Sequence, residues 1–337
     1  MMLRPAVRFF GKVARPLLGC GLLFVTSLSA EPLHAQAAPQ PPSDFQGRIE
    51  QVARELANEP KLKRLSAQHR LAAVEFVFGN MLFAAAHELG HGVIREFELP
   101  VLGREEDAAD SFAIFAALQV GTEFSHRVLI EAVKGWFLGD KRDKKLGEKF
   151  AYYDEHGMNL QRAYQIVCFT YGSDPEKFKD LADETKLPED RREGCKADYR
   201  EAAWAWNTLL KPHKRAAEQP KQKIDVIYGD AEGELAVFAR SFRTTRFLEA
   251  LVERVGDNFA WPRPIVIGMQ TCGEGGSQWK AGRLTLCYEW HATLLSSIAS
   301  TEATERFPSS NPRTHASGDL AVRSGGGSAL HIAAHSM

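Results

Sequence analysis

The stretch FAAAHELGHG, residues 83–92, sets two imidazoles four positions apart with a carboxylate beside the first. On a helix, residues four apart share a face, so His87 and His91 can each offer a nitrogen to one ion. Glu88 falls on the same rim, where it can deprotonate a water at that ion without ligating it. The flanking sequence, from Val74 to Ile94, is apolar on nearly every side of such a helix. Burying two imidazoles and a carboxylate there is costly unless they are mutually satisfied, and a bound cation supplies the missing partner. Catalytic zinc takes three protein ligands and keeps one position open. The third ligand is sought in GREEDAADSFA, residues 103–113, which a tight helix-turn-helix would bring back against the histidine face. Glu106 and Asp110 are four apart, one above the other. Glu106 can ligate the metal, and Asp110 can accept from the far nitrogen of a ligating histidine. Glu105 and Asp107 are rival ligands that point about 100° to either side, so only one of the three faces the site; Glu106 is favoured. An acidic helix start is also what the helix dipole prefers. That accounts for Glu105 and Glu106 better than for Asp110, which lies inside the helix near Phe112.

The elements that must hold these residues follow from the pattern along the chain. A long helix is expected over about 66–98, weakened locally by Gly79, Gly90 and Gly92. Pro100 and Gly103 break it, and a second helix is expected over 105–120. A third covers roughly 124–138, followed by a charged connection at 139–149. Residues 154–172 read as a turn and a helix, and 187–210 as a loop entering a helix near 195. A lysine- and proline-rich linker occupies 211–222. Beyond it the composition changes: a strand at 224–229, a helix over 234–255, then the strand pair PIVIGM and RLTLCYE. The expected fold class is α+β, predominantly helical, with a helical core at 38–222 and a smaller α+β portion at 223–300 packed on it. Residues 301–337, rich in Ser, Gly, Thr and Ala, read as a disordered tail.

Residues 1–37 have the marks of a secretory signal peptide: four basic residues, the apolar run LLGCGLLFVTSL and small residues near Ala37. The run is shorter than the roughly 20 residues a membrane span needs. The leader carries four of the 42 basic and one of the 43 acidic residues, so the remainder has a formal net charge of −4. No basic patch or nucleic-acid motif stands out, which argues against a nucleic-acid partner, and no later run is long enough to span a membrane. Past the leader there are four cysteines, 168, 195, 272 and 287. An even count in an exported chain favours two disulfides. Three pairings are possible; proximity favours Cys168–Cys195 and Cys272–Cys287. A zinc tetrad is the competing reading, but no CxxC pair occurs.

HELGH at 87–91 followed by EDAAD at 106–110 resembles the zincin metallopeptidases whose third ligand is a glutamate. The likeness is nearest to a bacterial family of exported metallopeptidases of unknown substrate, and runs over about residues 65–290. It implies a zincin-like helix pair carrying Zn2+ on His87, His91 and Glu106, with Glu88 as general base and Asp110 supporting a ligating histidine. It also implies structural cysteines, a periplasmic or secreted location and a peptide or protein substrate. A tetrahedral oxyanion would need a further donor. His156, in YYDEHG, is the favoured catalytic candidate, against simple capping by Asp154; Tyr152, Tyr153 and Tyr288 are others. The opposing reading is a cell-envelope protein in which zinc only stabilises a binding or scaffold surface. Such a site has no need of Glu88.

Overall fold

Residues 45–149, 151–273 and 276–302 are described by a computed structural model, with 297 and 299–302 described as backbone only. The leader read at 1–37 and the tail beyond Glu302 lie outside these residues.

Phe45–Glu55 form α1 and Ala67–Glu96 form α2. Ser66 starts α2 by accepting the His69 N–H at 3.2 Å, a standard N-terminal cap. After the turn at residues 97–104 come α3 (Glu105–Val120) and α4 (Glu123–Leu146), the latter opened by a reciprocal Thr122–Ser125 capping box. Then follow α5 (Asn159–Ser173), α6 (Lys179–Glu184) and α7 (Glu189–Leu210). The C-terminal part comprises β1 (Ile224–Tyr228), α8 (Leu235–Thr245), α9 (Phe247–Arg254), β2 (Ile265–Gln270), β3 (Gln278–Lys280), β4 (Arg283–Cys287) and α10 (Tyr288–Glu302).

α2 is apolar all round because it is covered all round. α1, α3, α4 and α10 pack along it, and β3 and β4 close the side near its C-terminal end. One buried cluster runs from Ile49 and Val52 through Phe76 and Leu89 to Phe242, Leu284 and Ile298. A second, on the other flank, gathers Ile114, Leu129, Ile166 and Cys195. The fold is thus predominantly helical with a small C-terminal mixed sheet. Its strand order is β1-β2-β4-β3; β1, β2 and β4 are parallel, and β3 runs antiparallel to β4. The β3–β4 turn is Ala281-Gly282, both at positive φ, as a two-residue hairpin turn requires. Disulfides Cys168–Cys195 and Cys272–Cys287 tie α5 to α7 and the loop after β2 to the end of β4. Among the described residues no helix is long and apolar enough to cross a membrane.

Besides α6 and β3, which the sequence did not lead one to expect, four expected elements differ in extent. The charged run at 139–146 continues α4, where the Lys144–Asp140 pair at 2.7 Å has the helical i,i+4 spacing. α7 begins at Glu189, six residues before Cys195, with Glu189 and Asp190 in its first turn. The single helix expected over 234–255 is two, separated by Arg246 in the left-handed region at φ 52°. Tyr288 and Glu289 open a helix that continues to Glu302, so the first two residues assigned to the tail are helical.

Candidate metal centre

α2 and α3 meet at Gly90, where a Cβ would lie 3.1 Å from the Ala109 Cα. That approach sets the first turn of α3 against the buried rings of His87 and His91. Glu106 faces both: its Oε2 lies 3.1 Å from His87 Nε2 and its Oε1 3.3 Å from His91 Nε2. The two Nε2 atoms are 3.3 Å apart. One ligand atom from each of the three lies within 4.8 Å of the others, a cluster able to hold a metal ion.

The far ring nitrogens are also taken. His87 Nδ1–H donates to Asp110 Oδ1 at 2.8 Å, and His91 Nδ1–H donates to Glu105 Oε1 at 2.7 Å. An ionised carboxylate only accepts, so both Nδ1 atoms carry hydrogen and each Nε2 is the nitrogen left to bind a cation. Asp110, 2% exposed, is gripped in turn by Arg162 through two bonds of 2.6 and 2.7 Å, and that guanidinium stacks 3.9 Å from the Trp136 ring centre. Glu105 also accepts from Arg95 at 2.9 Å. Asp107 turns outward to Arg104. The three neighbouring acids therefore take three directions, and the support that Glu105 gives His91 was not anticipated from sequence. Arg192, by contrast, is an ion-pair partner of Asp183 at 2.7 Å. Asn80, on the same helix, donates to the carbonyls of Phe76 and Glu131, an internal anchor.

Glu88 lines a cleft of about 570 Å³ together with His87, His156, Arg162, Trp136 and Glu289. The Trp279 backbone amide donates to its carboxylate. Trp279 reaches it because Gly92 has no side chain: a Cβ there would stand 2.7 Å from the indole. The same tryptophan accepts from Arg95 through its carbonyl and donates from Nε1 to Glu96. Of the three glycines that weaken α2 as a helix, Gly90 and Gly92 are the two that allow α3 and β3 to close on the site. Gly92→Ala should displace Trp279 and destabilise the fold by about 1–3 kcal/mol, read as a lower denaturant midpoint.

His156 lies on the outer side of Glu106, its Nε2 3.0 Å from Oε2. Asp154 accepts from both the His156 backbone N–H and its ring. The capping contact and the contact with the site thus coexist. Tyr152 and Tyr153 are exposed, whereas Tyr288 is buried, donates to the Gly229 carbonyl and takes no part in the cleft.

Burial alone would depress His87, but its bonds to Asp110 and Glu106 outweigh that and raise it to about 9. His91 is raised in the same way by Glu106 and Glu105. Burial works against the charge on Glu106 and on Asp110, yet both are held below their ordinary values, Glu106 by the two histidines and Asp110 by His87 and Arg162. Burial raises Glu88, with the histidines pulling the other way. A metal must displace the His87 proton. Its apparent affinity should therefore climb with pH up to about 9, instead of levelling near the ordinary histidine value of 6.5. Competition with a chelator across that range measures it. The metal-free chain behaves oppositely: the stability from the raised His87 is full below about 6.5 and lost as pH rises through about 9.

No curated protein and no solved structure matches the chain. Residues 49–210 match the domain family DUF4344, described as "Putative metallopeptidase". The match spans α1 to α7 and contains His87, His91 and Glu106, but ends before the sheet that brings Trp279. The helical part carrying the metal-ligand cluster is thus the part of the chain that is similar to this family.

Proposed function

We propose that this protein is a zinc-dependent metallopeptidase. The observation that carries the reading is the convergence of two imidazole Nε2 atoms and one carboxylate, with each Nδ1 committed to its own acid. Two nitrogens and one oxygen suit zinc, and three protein ligands leave room for a substrate group. A zinc ion on His87, His91 and Glu106 would supply Lewis acidity for the scissile carbonyl and for the attacking water. Glu88 accepts the proton of that water and passes it to the departing amine. Its burial suits the role, because burial raises its pKa and makes it a better proton acceptor than an exposed carboxylate. The Trp279 amide keeps it turned to the cleft. Asp110 and Glu105 hold the ligating rings, and Asp110 is itself held by Arg162. His156 steadies Glu106 from outside and is the residue proposed to donate to the oxyanion, by turning its Nε2–H from Glu106 to the substrate.

A merely stabilising metal site has no need of a largely buried carboxylate beside its ligands, and Glu88 therefore supports hydrolysis over scaffolding. The test is metal analysis of protein purified without added metal, alongside peptide cleavage before and after chelation. Stoichiometric zinc, with cleavage lost to chelator and restored by zinc, is expected; a different dominant ion or chelator-resistant cleavage refutes the proposal. We also propose export to the periplasm or beyond, which the two disulfides support. The exported chain should begin near residue 38 by intact mass; a chain still starting at Met1 would contradict it.

A further inference from the structure

Facing α2 across the cleft is a wall made by the start of α10 and the segment before β3. Glu289 and Ser277 stand on it, in the same cleft as Glu88 and His156. Glu289 uses one carboxylate oxygen, Oε1, to accept from the backbone amides of Cys272 at 2.8 Å and Gly273 at 2.6 Å. Its other oxygen, Oε2, is buried and has no hydrogen-bond partner among the described residues; the Ser277 hydroxyl is in the same state. A buried carboxylate oxygen left without a donor is unfavourable, more so than a neutral acceptor. The fold nevertheless fixes it there: Oε1 is anchored, Cys272 is linked to Cys287, and Cys287 immediately precedes α10.

The cleft also contains two guanidinium groups, but neither answers Glu289. Arg162 is committed to Asp110, and Arg142 to Asp143 at 3.0 Å. Among the described residues no donor answers Glu289 Oε2. We propose that Glu289 selects substrates bearing a cationic nitrogen group, an ammonium or a guanidinium, which donates to Oε2 while Ser277 Oγ accepts a second N–H. Charge-assisted bonds of this kind are short and about twice as strong as neutral ones. The cation can be a free α-amino terminus or a lysine or arginine side chain; the shared chemistry is a nitrogen donor carrying positive charge.

This rests on the peptidase reading, and the experiment separates the two. Zinc-loaded full-length mature protein is given matched peptide pairs: lysine against acetyl-lysine at each position, and a free against an acetylated N-terminus. The cationic member of one pair should be cleaved about 10- to 100-fold more efficiently by kcat/KM. Which pair responds tells the α-amine from the side chain. In Glu289→Gln, which keeps an oxygen for the Cys272 and Gly273 amides, the ratio within that pair should fall to near one. A residue that only held the loop would lower both members together and leave the ratio unchanged, and that result overturns the proposal. Calorimetric binding of the same pairs to Glu88→Gln and to Glu88→Gln/Glu289→Gln reads the preference without turnover. If no peptide is cleaved the peptidase reading fails, but a charge preference present in the first variant and absent from the second upholds the role of Glu289. Equal affinity within every pair, or no binding, overturns it.

Discussion

Glu88→Gln should reduce peptide cleavage by about 10²- to 10⁴-fold while zinc content and unfolding midpoint stay close to those of the parent chain. Glutamine preserves the shape of the side chain and an oxygen to accept from the Trp279 amide. What it removes is the capacity to take a proton from water. Because Glu88 is not in the His87, His91 and Glu106 cluster, the ligands are untouched. The loss should fall on kcat, since the interaction made by the base matters in the transition state. Steady-state kinetics with metal analysis on the same preparation checks the split. A variant that cleaves peptides at the parental rate would remove Glu88 from the mechanism.

Asp110→Ala should have the largest effect on stability, about 3–5 kcal/mol. The carboxylate is shared by a histidine and an arginine, and deleting it strands both. Arg162 is left with its guanidinium against Trp136, and His87 loses the acceptor that sets which nitrogen faces the metal. Metal affinity should drop by about 10- to 100-fold in addition. Asp110→Asn, which keeps one acceptor oxygen, should lose less of both. Asp107→Ala, one turn earlier on the same helix, removes a half-exposed pair with Arg104 and should cost no more than about 1 kcal/mol. Denaturant midpoints for the three variants test the order. If Asp110→Ala were as mild as Asp107→Ala, the grip of Arg162 on the site would be without energetic weight.

What was legible in the sequence is what is local in it. His87, Glu88 and His91 share one helix, and Glu106 and Asp110 lie on the next, so side-chain periodicity was enough to predict which faces meet. The assignment of a supporting carboxylate to His91 was out of reach, because Glu105 and Glu106 differ only by rotation about α3. Arg162 comes from α5, more than fifty residues beyond Asp110, and no spacing rule connects them. Trp279 was hidden for another reason. It sits on a three-residue strand whose hairpin turn uses Ala281 at positive φ, where the usual glycine or asparagine signal is lacking at the first turn position. α10 was obscured because RLTLCYE continues smoothly from an apolar strand into a helix with no loop between. Gly90 and Gly92 looked like defects when α2 was considered alone, since the cost of glycine is a property of the helix and its benefit lies in what packs against it.

The contact between Arg95 and the Trp279 carbonyl spans 184 residues of chain. Every metal ligand, by contrast, is supplied within twenty positions of sequence. The expected order of assembly follows: the His87, His91 and Glu106 cluster needs only neighbouring helices, whereas the Trp279 backbone reaches Glu88 only after the last strands have docked. Short-range contacts form faster than long-range ones, so, if the chain is the peptidase proposed above, its cleaving activity would be the late event of maturation.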